Sequence, residues 1–291
     1  MSSRVAVPKR KFGWTGVGVP IIGQGTWQIN QGSHKDKMQA IKALQLGLDL
    51  GLAHIDTAEM YGNGQAEEIV AEAIAGRRDE VFLVSKVLPS NASYEGTLKA
   101  CKRSLKRLKT DWLDLYLLHW PSSYPIRETM RAMEKLVDDG LIRFFGVSNF
   151  DVADLQEAEQ ALSKHRIVCN QVLYSLDQRG IERQLLPYCT EQQIAIVGYS
   201  PFGHGNFPSS NSQQGKVLAD IGKRHGNRTP RQVALNYLVR HPNVFSIPKA
   251  SNPQHTRENA ESAIGWSLSE QDIAVIDRTF PIGDDISLQM I

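Results

Sequence analysis

Short apolar runs alternate along this chain with longer segments in which apolar residues recur at helical spacing. The runs have the length of buried strands, and they cover residues 21–27, 53–56, 81–86, 113–119, 142–149, 167–174, 195–201 and 244–249. The segments with helical spacing cover residues 35–50, 65–75, 94–108, 126–138, 152–163, 183–192, 216–225, 232–240, 253–264 and 269–279. This alternation of predicted strands and helices favours an α/β protein built as a (β/α)8 TIM barrel.

Two features bear on the choice between this barrel and a doubly wound sheet. A length of 291 residues suits either one large barrel or two smaller domains, so length does not decide. No GxGxxG motif follows the first predicted strand, however, and no linker separates the predicted elements. We therefore predict a single barrel domain over residues 1–291, with an N-terminal β-hairpin at residues 11–20 and additional C-terminal helices.

Polar side chains occur where three successive predicted strands end. These strands finish on Asp56, Lys86 and His119, and Tyr61 falls in the loop five residues after Asp56. In parallel α/β folds the functional site lies at the carboxyl ends of the strands. The four side chains are therefore predicted to face one end of the barrel.

These four residue types suit the polarisation of a carbonyl group. A free tyrosine has a pKa near ~10 and is a poor donor to a developing alkoxide at neutral pH. A nearby ammonium lowers that pKa, so we predict that Lys86 activates Tyr61 and that Asp56 keeps the lysine charged. His119 can donate a hydrogen bond to the carbonyl oxygen. The set includes no metal and no group to attack carbon, so a hydride from a nicotinamide cofactor is predicted to do so.

Composition narrows the classes of partner. A net charge of +2 offers no electrostatic case for nucleic acid, and no apolar run approaches a membrane span. The basic residues before position 12 are not followed by an apolar segment, so a signal peptide is not predicted. The cysteines are three and widely spaced, which argues against a disulfide framework or a zinc cluster and suits a reducing cytoplasm: Cys101, Cys169 and Cys189.

Three short motifs resemble the catalytic motifs of the aldo-keto reductases. They are DTAEMYG at residues 56–62, VSKV at 84–87 and LLHWP at 117–121. The resemblance runs from FGWTGVGVPIIGQGTW at 12–27 to IPKASNPQHTREN at 247–259, which is nearly the whole chain. It implies the catalytic tetrad Asp56, Tyr61, Lys86 and His119. It also implies the NADPH-dependent reduction of aldehydes and ketones to alcohols.

The resemblance further implies a cofactor site. Ser148, Asn149 and Gln171 resemble the contacts to the nicotinamide carboxamide, and Tyr199 resembles the aromatic residue on which the nicotinamide ring stacks. The other cofactor residues that it implies are Gly25, Thr26, Ser200, Phe202, Gly203, Lys249, Ser251, Asn252, Arg257, Glu258 and Asn259.

The choice of cofactor depends on the motif at residues 247–259. In the family its lysine pairs with the 2′-phosphate of NADPH, and Lys249 takes that place. The family carries an arginine six residues later, where this chain has His255, and Arg257 lies on a different helix face. Histidine is largely uncharged at neutral pH, which weakens a phosphate clamp. We predict NADPH as the cofactor, with use of NADH left open.

The predicted substrate is a small aldehyde or ketone. A lone tryptophan usually belongs to a core, but the resemblance places Trp27 in the wall of a substrate pocket. Tyr61, Trp120 and Phe202 are predicted to line the same pocket. The sequence does not choose among methylglyoxal, sugar aldehydes and aromatic aldehydes, and it predicts no oligomeric state. One alternative is a nicotinamide-binding regulatory subunit with little turnover, which the intact tetrad disfavours. Another is an aldolase or isomerase that uses Lys86 as a Schiff base, which a charged Lys86 disfavours.

Overall fold

Eight parallel strands pair in sequence order at the centre of the described structure and close into a barrel. The computed structural model describes residues 6–29, 32–283 and 287–290. The barrel strands are β3 (Gln24–Gly25), β4 (His54–Asp56), β5 (Phe82–Val87), β6 (Leu113–Leu118), β7 (Ile142–Ser148), β8 (Cys169–Leu173), β9 (Ala195–Tyr199) and β10 (Val244–Ser246). Bridges between Ile22 and Ser246 and between Gly25 and Lys249 join the last strand to the first. The predicted barrel is confirmed.

The hairpin ahead of the barrel covers the amino ends of its strands. It pairs β1 (Lys9–Lys11) with β2 (Gly18–Pro20) in antiparallel register, so the prediction is confirmed with a start at Lys9. Phe12 is fully buried, and its ring centroid lies 5.0 Å from those of Phe82 and Phe245. Because Phe82 begins β5, the hairpin plugs the end of the barrel opposite to the carboxyl ends.

Ten α-helices occur in the described part of the chain. They are α1 (His34–Asp49), α2 (Gln65–Ala73), α3 (Tyr94–Leu108), α4 (Ile126–Asp138), α5 (Val152–Gln160), α6 (Leu185–Glu191), α7 (Gln213–Arg224), α8 (Pro230–Leu238), α9 (Pro253–Glu261) and α10 (Glu270–Thr279). The predicted limits of α3 and α4 are confirmed, whereas α5 and α9 end earlier than predicted. None of the helices in the described ranges is long and apolar enough to cross a bilayer.

The first and last barrel strands are shorter than predicted, at the seam where the barrel closes. A side chain at Gly23 would meet the His54 carbonyl oxygen at 2.7 Å, and one at Gly25 would meet that of Ile247 at 2.6 Å. The chain therefore passes its neighbours too closely for ordinary residues, and regular pairing is confined to Gln24–Gly25. On the opposite side of the seam β10 ends at Ser246. Pro248, two residues later, has no backbone N–H with which to continue the pairing.

Strand residues alternate between two apolar layers. Tyr116 and Leu118 of β6 pack in the layer between the sheet and the helices, whereas Leu115 and Leu117 pack inside the barrel. Alternation in β5 likewise puts Phe82 and Val84 inside. Lys86 follows Phe82 and Val84 at the same spacing, so the pleat of the strand directs a lysine into the barrel.

Candidate active site

The structure brings the four predicted catalytic side chains together at the carboxyl end of the barrel. Asp56 is the last residue of β4, and its Oδ1 lies 2.5 Å from Lys86 Nζ. The same ammonium donates to the Thr57 carbonyl oxygen at 2.9 Å and lies 3.3 Å from the hydroxyl of Tyr61. The ring of His119, directly after β6, lies 5.6 Å from that of Tyr61 between centroids. Lysine, acid and phenol thus form one hydrogen-bonded chain.

Burial sets the protonation of this chain. Burial by itself lowers the pKa of Lys86, but the charge of Asp56 and the contact with Tyr61 outweigh it and raise that pKa above its ordinary value. Burial raises the pKa of Tyr61, and the opposing effect of Lys86 is too small to reverse it. The predicted effect of Lys86 on the Tyr61 pKa is therefore present, but burial outweighs it, and the pKa of Tyr61 lies above its ordinary value. Desolvation raises the pKa of the phenol more than the charge of Lys86 lowers it, so the phenol keeps its proton at neutral pH.

His119 is neutral in this environment. Burial, and secondarily the charge of Lys86, lower the pKa of His119 to about 2. Its Nδ1 is buried and has no hydrogen-bond partner among the described residues. A buried polar atom without a partner is uncommon in a folded protein, and among the described residues both ring nitrogens of His54 share this condition.

The residues predicted to hold the carboxamide are hydrogen-bonded to one another. Ser148 Oγ donates to the Gln171 carbonyl oxygen at 2.8 Å, and Asn149 Nδ2 lies 3.2 Å from Ser148 Oγ. The hydroxyl of Tyr199 donates to Asn149 Oδ1 at 2.8 Å. Gln171 has a contact that sequence reasoning missed, because its Nε2 donates to Asp56 Oδ2 at 2.7 Å. Each oxygen of the Asp56 carboxylate therefore accepts from a different side chain.

A cavity of about 510 Å³ opens beside the tetrad. Trp27, Tyr61, Trp120 and Phe202, the four residues predicted to line a substrate pocket, all lie in its wall. The predicted cofactor residues in its wall are Gly25, Thr26, Ser148, Asn149, Gln171, Tyr199, Ser200, Phe202 and Lys249. The predicted cofactor residues that do not line this cavity are Gly203, Ser251, Asn252, Arg257, Glu258 and Asn259.

Sequence reasoning missed several residues of this cavity, of which His204 is the most informative. Its ring stacks on Trp27 with centroids 4.7 Å apart and planes 25° from parallel. His204 belongs to a short 3-10 turn, Gly203–Gly205, in the segment between β9 and α7. No periodic signal marks such a residue, since its partner is far away in sequence. The other missed residues of the wall are Gln28, Met60, Pro201, Gly205 and Ile247.

Backbone strain is concentrated around the cavity. Four residues of its wall other than glycine have a left-handed backbone: Gln28 (φ 58°), Asn149 (φ 60°), Ser200 (φ 48°) and His204 (φ 50°). Such conformations cost on the order of 1 kcal/mol each and cluster at functional sites. The same backbone conformation occurs outside the cavity wall at Asn63, Lys109, Gln193 and Asn227, so the wall holds half of these residues in the described structure.

The motif at residues 247–259 lies at one edge of the cavity. Lys249 is in the wall, and burial lowers its pKa, with no acidic partner contributing from the part of the chain that the structure describes. Asn252 caps α9 by accepting from the backbone N–H of His255 at 2.9 Å, and its amide nitrogen lies 3.0 Å from His255 Nδ1. The side chains of His255 and Arg257 are exposed, whereas Asn259 is buried. Lys249 is therefore the cation of this motif that faces the cavity.

Comparison with known proteins identifies similar chains. A model of the Aldo/keto reductase family matches residues 21–280. Methylglyoxal reductase YeaE of Escherichia coli is 44% identical over 265 residues, which cover 91% of this chain and 92% of that protein. Glyoxal reductase of Bacillus subtilis is 35% identical, covering 90% of this chain and 89% of that one. The crystal structure of an aldo/keto reductase from Klebsiella pneumoniae in complex with NADP and acetate has a TM-score of 0.90 at 41% identity, covering 98% of this chain and 99% of that chain.

Proposed function

This chain belongs to the aldo-keto reductase family, whose members among its relatives reduce carbonyl compounds, and we propose that Tyr61 is the general acid of its reaction. The chain is an NADP(H)-dependent oxidoreductase. The observation that carries the proposal is the 3.3 Å contact between the Tyr61 hydroxyl and Lys86, a fully buried lysine paired with Asp56. Tyr61 and the neutral His119 face the same cavity.

The residues of the cavity fit a nicotinamide dinucleotide. Asn149 and Ser148 offer amide and hydroxyl groups at the end of β7, and Tyr199 offers an aromatic ring beside them. The ammonium of Lys249, which has no acidic partner among the described residues, suits a phosphate at the other edge. When bound, this cofactor supplies a hydride to the carbonyl carbon.

The protein's own residues handle the carbonyl oxygen. The ring N–H of the neutral His119 donates a hydrogen bond to that oxygen and orients it. The proton on Tyr61 Oη moves to the oxygen as negative charge develops there. Lys86 stabilises the resulting phenolate, and Asp56 keeps Lys86 protonated. Gln171 holds Asp56 in turn.

We propose that Lys249 makes the enzyme prefer NADPH to NADH. Among the described residues of the motif at 247–259, Lys249 is the cation that lines the cavity, whereas His255 is engaged with Asn252 at the start of α9. A lone lysine gives a smaller preference than a lysine and an arginine together. Substantial use of NADH is therefore part of the proposal.

The proposed substrates are small aldehydes and ketones, with 1,2-dicarbonyl compounds such as methylglyoxal first among them. Two relatives that align over most of the chain are named as methylglyoxal and glyoxal reductases. The aromatic side chains of Trp27 and Trp120 contribute flat apolar surface beside the tetrad. A compact substrate can lie against these rings while its carbonyl oxygen reaches Tyr61 and His119.

Tyr61→Phe tests the proposed function. It removes the transferable proton and keeps the ring, so turnover with methylglyoxal and NADPH should fall about 10²- to 10⁴-fold. NADPH affinity, followed by tryptophan fluorescence, should change less than about twofold, because no charge contact to the cofactor is removed.

The matched control is Tyr188→Phe. It removes a phenol on α6 that donates a hydrogen bond to Glu159 at 2.8 Å. It should leave turnover unchanged. Near-normal turnover by Tyr61→Phe would exclude Tyr61 as the acid. Firm NADPH binding by the unaltered protein without turnover of any aldehyde would instead favour the regulatory alternative.

A further inference from the structure

A buried carboxylate lies two residues before Tyr61. Glu59 is 8% exposed, and it occupies the loop that joins β4 to α2. It does not line the described wall of the cavity. We infer that Glu59 is a positioning residue that fixes Tyr61 relative to Lys86 by joining the loops that follow β4 and β5. This inference rests on the proposed role of Tyr61.

Each hydrogen-bond donor to Glu59 comes from the segment after Lys86 or from the helix beyond it. Oε1 accepts from the backbone N–H of Leu88 and from Asn91 Nδ2, both at 2.8 Å. Oε2 accepts from an Nη of Arg103 in α3 at 3.3 Å. One carboxylate thus fastens the loop that carries Tyr61 to the segment that directly follows β5.

The fastening continues the pairing of the two strands beyond the point where β4 ends. The backbone N–H of Thr57 donates to the Val84 carbonyl oxygen at 2.9 Å, and that of Glu59 reaches the Lys86 carbonyl oxygen at 3.4 Å. The second contact is long for a hydrogen bond. The side chain of Glu59 makes the next contact, because it accepts from the backbone N–H of Leu88, the residue that directly follows β5.

Tyr61 depends on this backbone for its position. Within the described residues, Lys86 Nζ is the hydrogen-bond partner of its hydroxyl, at 3.3 Å. Its backbone N–H donates to the Ala58 carbonyl oxygen at 3.1 Å, so Tyr61 moves with the turn that contains Glu59. A displacement of about 1 Å of a reacting group can cost about 10²-fold in rate. Loosening the loop should therefore lower turnover without altering the residues that hold the cofactor.

The two inner donors matter more than the ion pair. The Arg103 side chain is 49% exposed, and partly exposed ion pairs contribute little. Leu88 N–H and Asn91 Nδ2 would instead lose their acceptor inside the protein if the carboxylate were removed. A neutral amide at position 59 can keep both contacts, because its oxygen can occupy the place of Oε1.

Glu134 provides a matched control elsewhere in the molecule. It is 5% exposed, and its Oε1 accepts from the backbone N–H groups of Ser163, Lys164 and His165 at 3.0, 2.8 and 3.1 Å. These donors lie after α5, before β8 begins, away from the tetrad. Glu134→Ala therefore removes a buried carboxylate that anchors a loop but carries no catalytic side chain.

The experiment compares Glu59→Ala, Glu59→Gln and Glu134→Ala by kcat, by KM for NADPH and by thermal unfolding. We expect Glu59→Ala to lower kcat about tenfold to hundredfold with KM for NADPH unchanged. Glu59→Gln should restore kcat to within about threefold, because the amide oxygen still accepts from Leu88 and Asn91. Glu134→Ala should lower the melting temperature and leave kcat unchanged.

Three results would overturn the inference. They are a kcat for Glu59→Ala within about threefold of the unaltered enzyme, a fall in kcat matched by Glu134→Ala at equal loss of stability, and failure of Glu59→Gln to restore kcat. If Glu59→Ala does not fold, Glu59→Asp takes its place. It keeps the charge but withdraws the oxygens by one methylene, so kcat should fall at least about fivefold; an unchanged kcat would overturn the inference.

Tyr61→Phe separates this failure from failure of the proposed function. Loss of turnover in Tyr61→Phe together with normal turnover in Glu59→Ala removes only the positioning role. Retained turnover in Tyr61→Phe removes the general acid, and the inference about Glu59 falls with it.

Discussion

Two clusters of buried charge invite comparison because they use similar residues and differ in what they leave unbonded. The tetrad cluster comprises Asp56, Tyr61, Lys86 and His119. The Glu182 cluster comprises Tyr174, Arg179, Glu182 and Arg240. Each joins carboxylate, cation and phenol at short distances, yet only the tetrad cluster lies at the cavity with the strained backbone.

The Glu182 cluster is saturated. Glu182 Oε1 accepts from Tyr174 at 2.6 Å and from Arg179 at 2.9 Å, and Oε2 accepts from Arg179 and Arg240 at 2.8 Å each. Arg240 also donates to the hydroxyl of Tyr174 at 3.0 Å. Burial alone would raise the pKa of Glu182, but the bonds from Arg179 and Tyr174 and the charge of Arg240 lower it to about 2. Such a network stabilises the fold.

The tetrad cluster is incomplete by contrast. His119 Nδ1 has no partner within the described residues, and the Tyr61 hydroxyl faces the cavity with its pKa raised by burial. Buried charge alone therefore does not identify an active site. What distinguishes the tetrad cluster is unfinished bonding next to open space.

Lys86→Met should have the largest effect. It removes the partner of both Asp56 and Tyr61, so turnover should fall about 10³-fold. It also leaves Asp56 buried without a cation, which should cost about 3 kcal/mol of unfolding free energy. NADPH consumption and denaturant unfolding measure the two effects. Retention of turnover would mean that the two clusters do not differ in function.

Glu182→Gln should affect stability alone. Removing the carboxylate leaves Arg179 and Arg240 without their shared anion and should cost about 3 kcal/mol, with kcat of the folded enzyme unchanged. Because folding lowers the Glu182 pKa from 4.5 to about 2, its contribution is complete above the unfolded value and is lost as the pH falls through the folded one. The difference in stability between the two proteins should therefore shrink between about pH 4.5 and 2. A difference that does not vary with pH over that range, or a loss of kcat, would contradict the comparison.

Lys249→Ala should have a smaller effect, confined to one cofactor. The ammonium of Lys249, for which the described residues offer no acidic partner, is proposed to contact the 2′-phosphate, so NADPH affinity should fall about tenfold to hundredfold. NADH affinity should change by less than about twofold. Fluorescence titration measures both, and Lys102→Ala on the exposed face of α3 controls for the lost charge. Equal losses for the two cofactors would show that Lys249 does not read the phosphate.

The pH dependence of the chemical step should be nearly flat. Burial holds the His119 pKa at about 2 and raises that of Tyr61 above its ordinary value, so neither group changes protonation near neutrality. The single-turnover rate of carbonyl reduction should therefore vary little from about pH 5 to 9. A limb near pH 6.5 that disappears in His119→Asn would show that His119 titrates within the working range.

Much of the fold and part of the site were predictable from local pattern. Apolar periodicity indicated the barrel strands and helices, because burial on a pleated or helical surface imposes a period of its own. Asp56 and Lys86 stood out because a charged residue that closes an apolar run has few structural reasons to be there. Gln171, Glu59 and His204 had no such signal, since their partners lie elsewhere in the chain: Gln171 with Asp56, Glu59 with Leu88, and His204 with Trp27.

The sequence by itself determined which residues alternate, where strands and helices form and which polar side chains stand at strand ends, since these depend on neighbours a few positions away. Tertiary structure alone decided that Tyr61 keeps a raised pKa, that Gln171 supports Asp56 and that Glu59 joins two loops. The physical reason is that desolvation and hydrogen bonding depend on distances in space. Closure of the barrel sets those distances between residues that are remote along the chain.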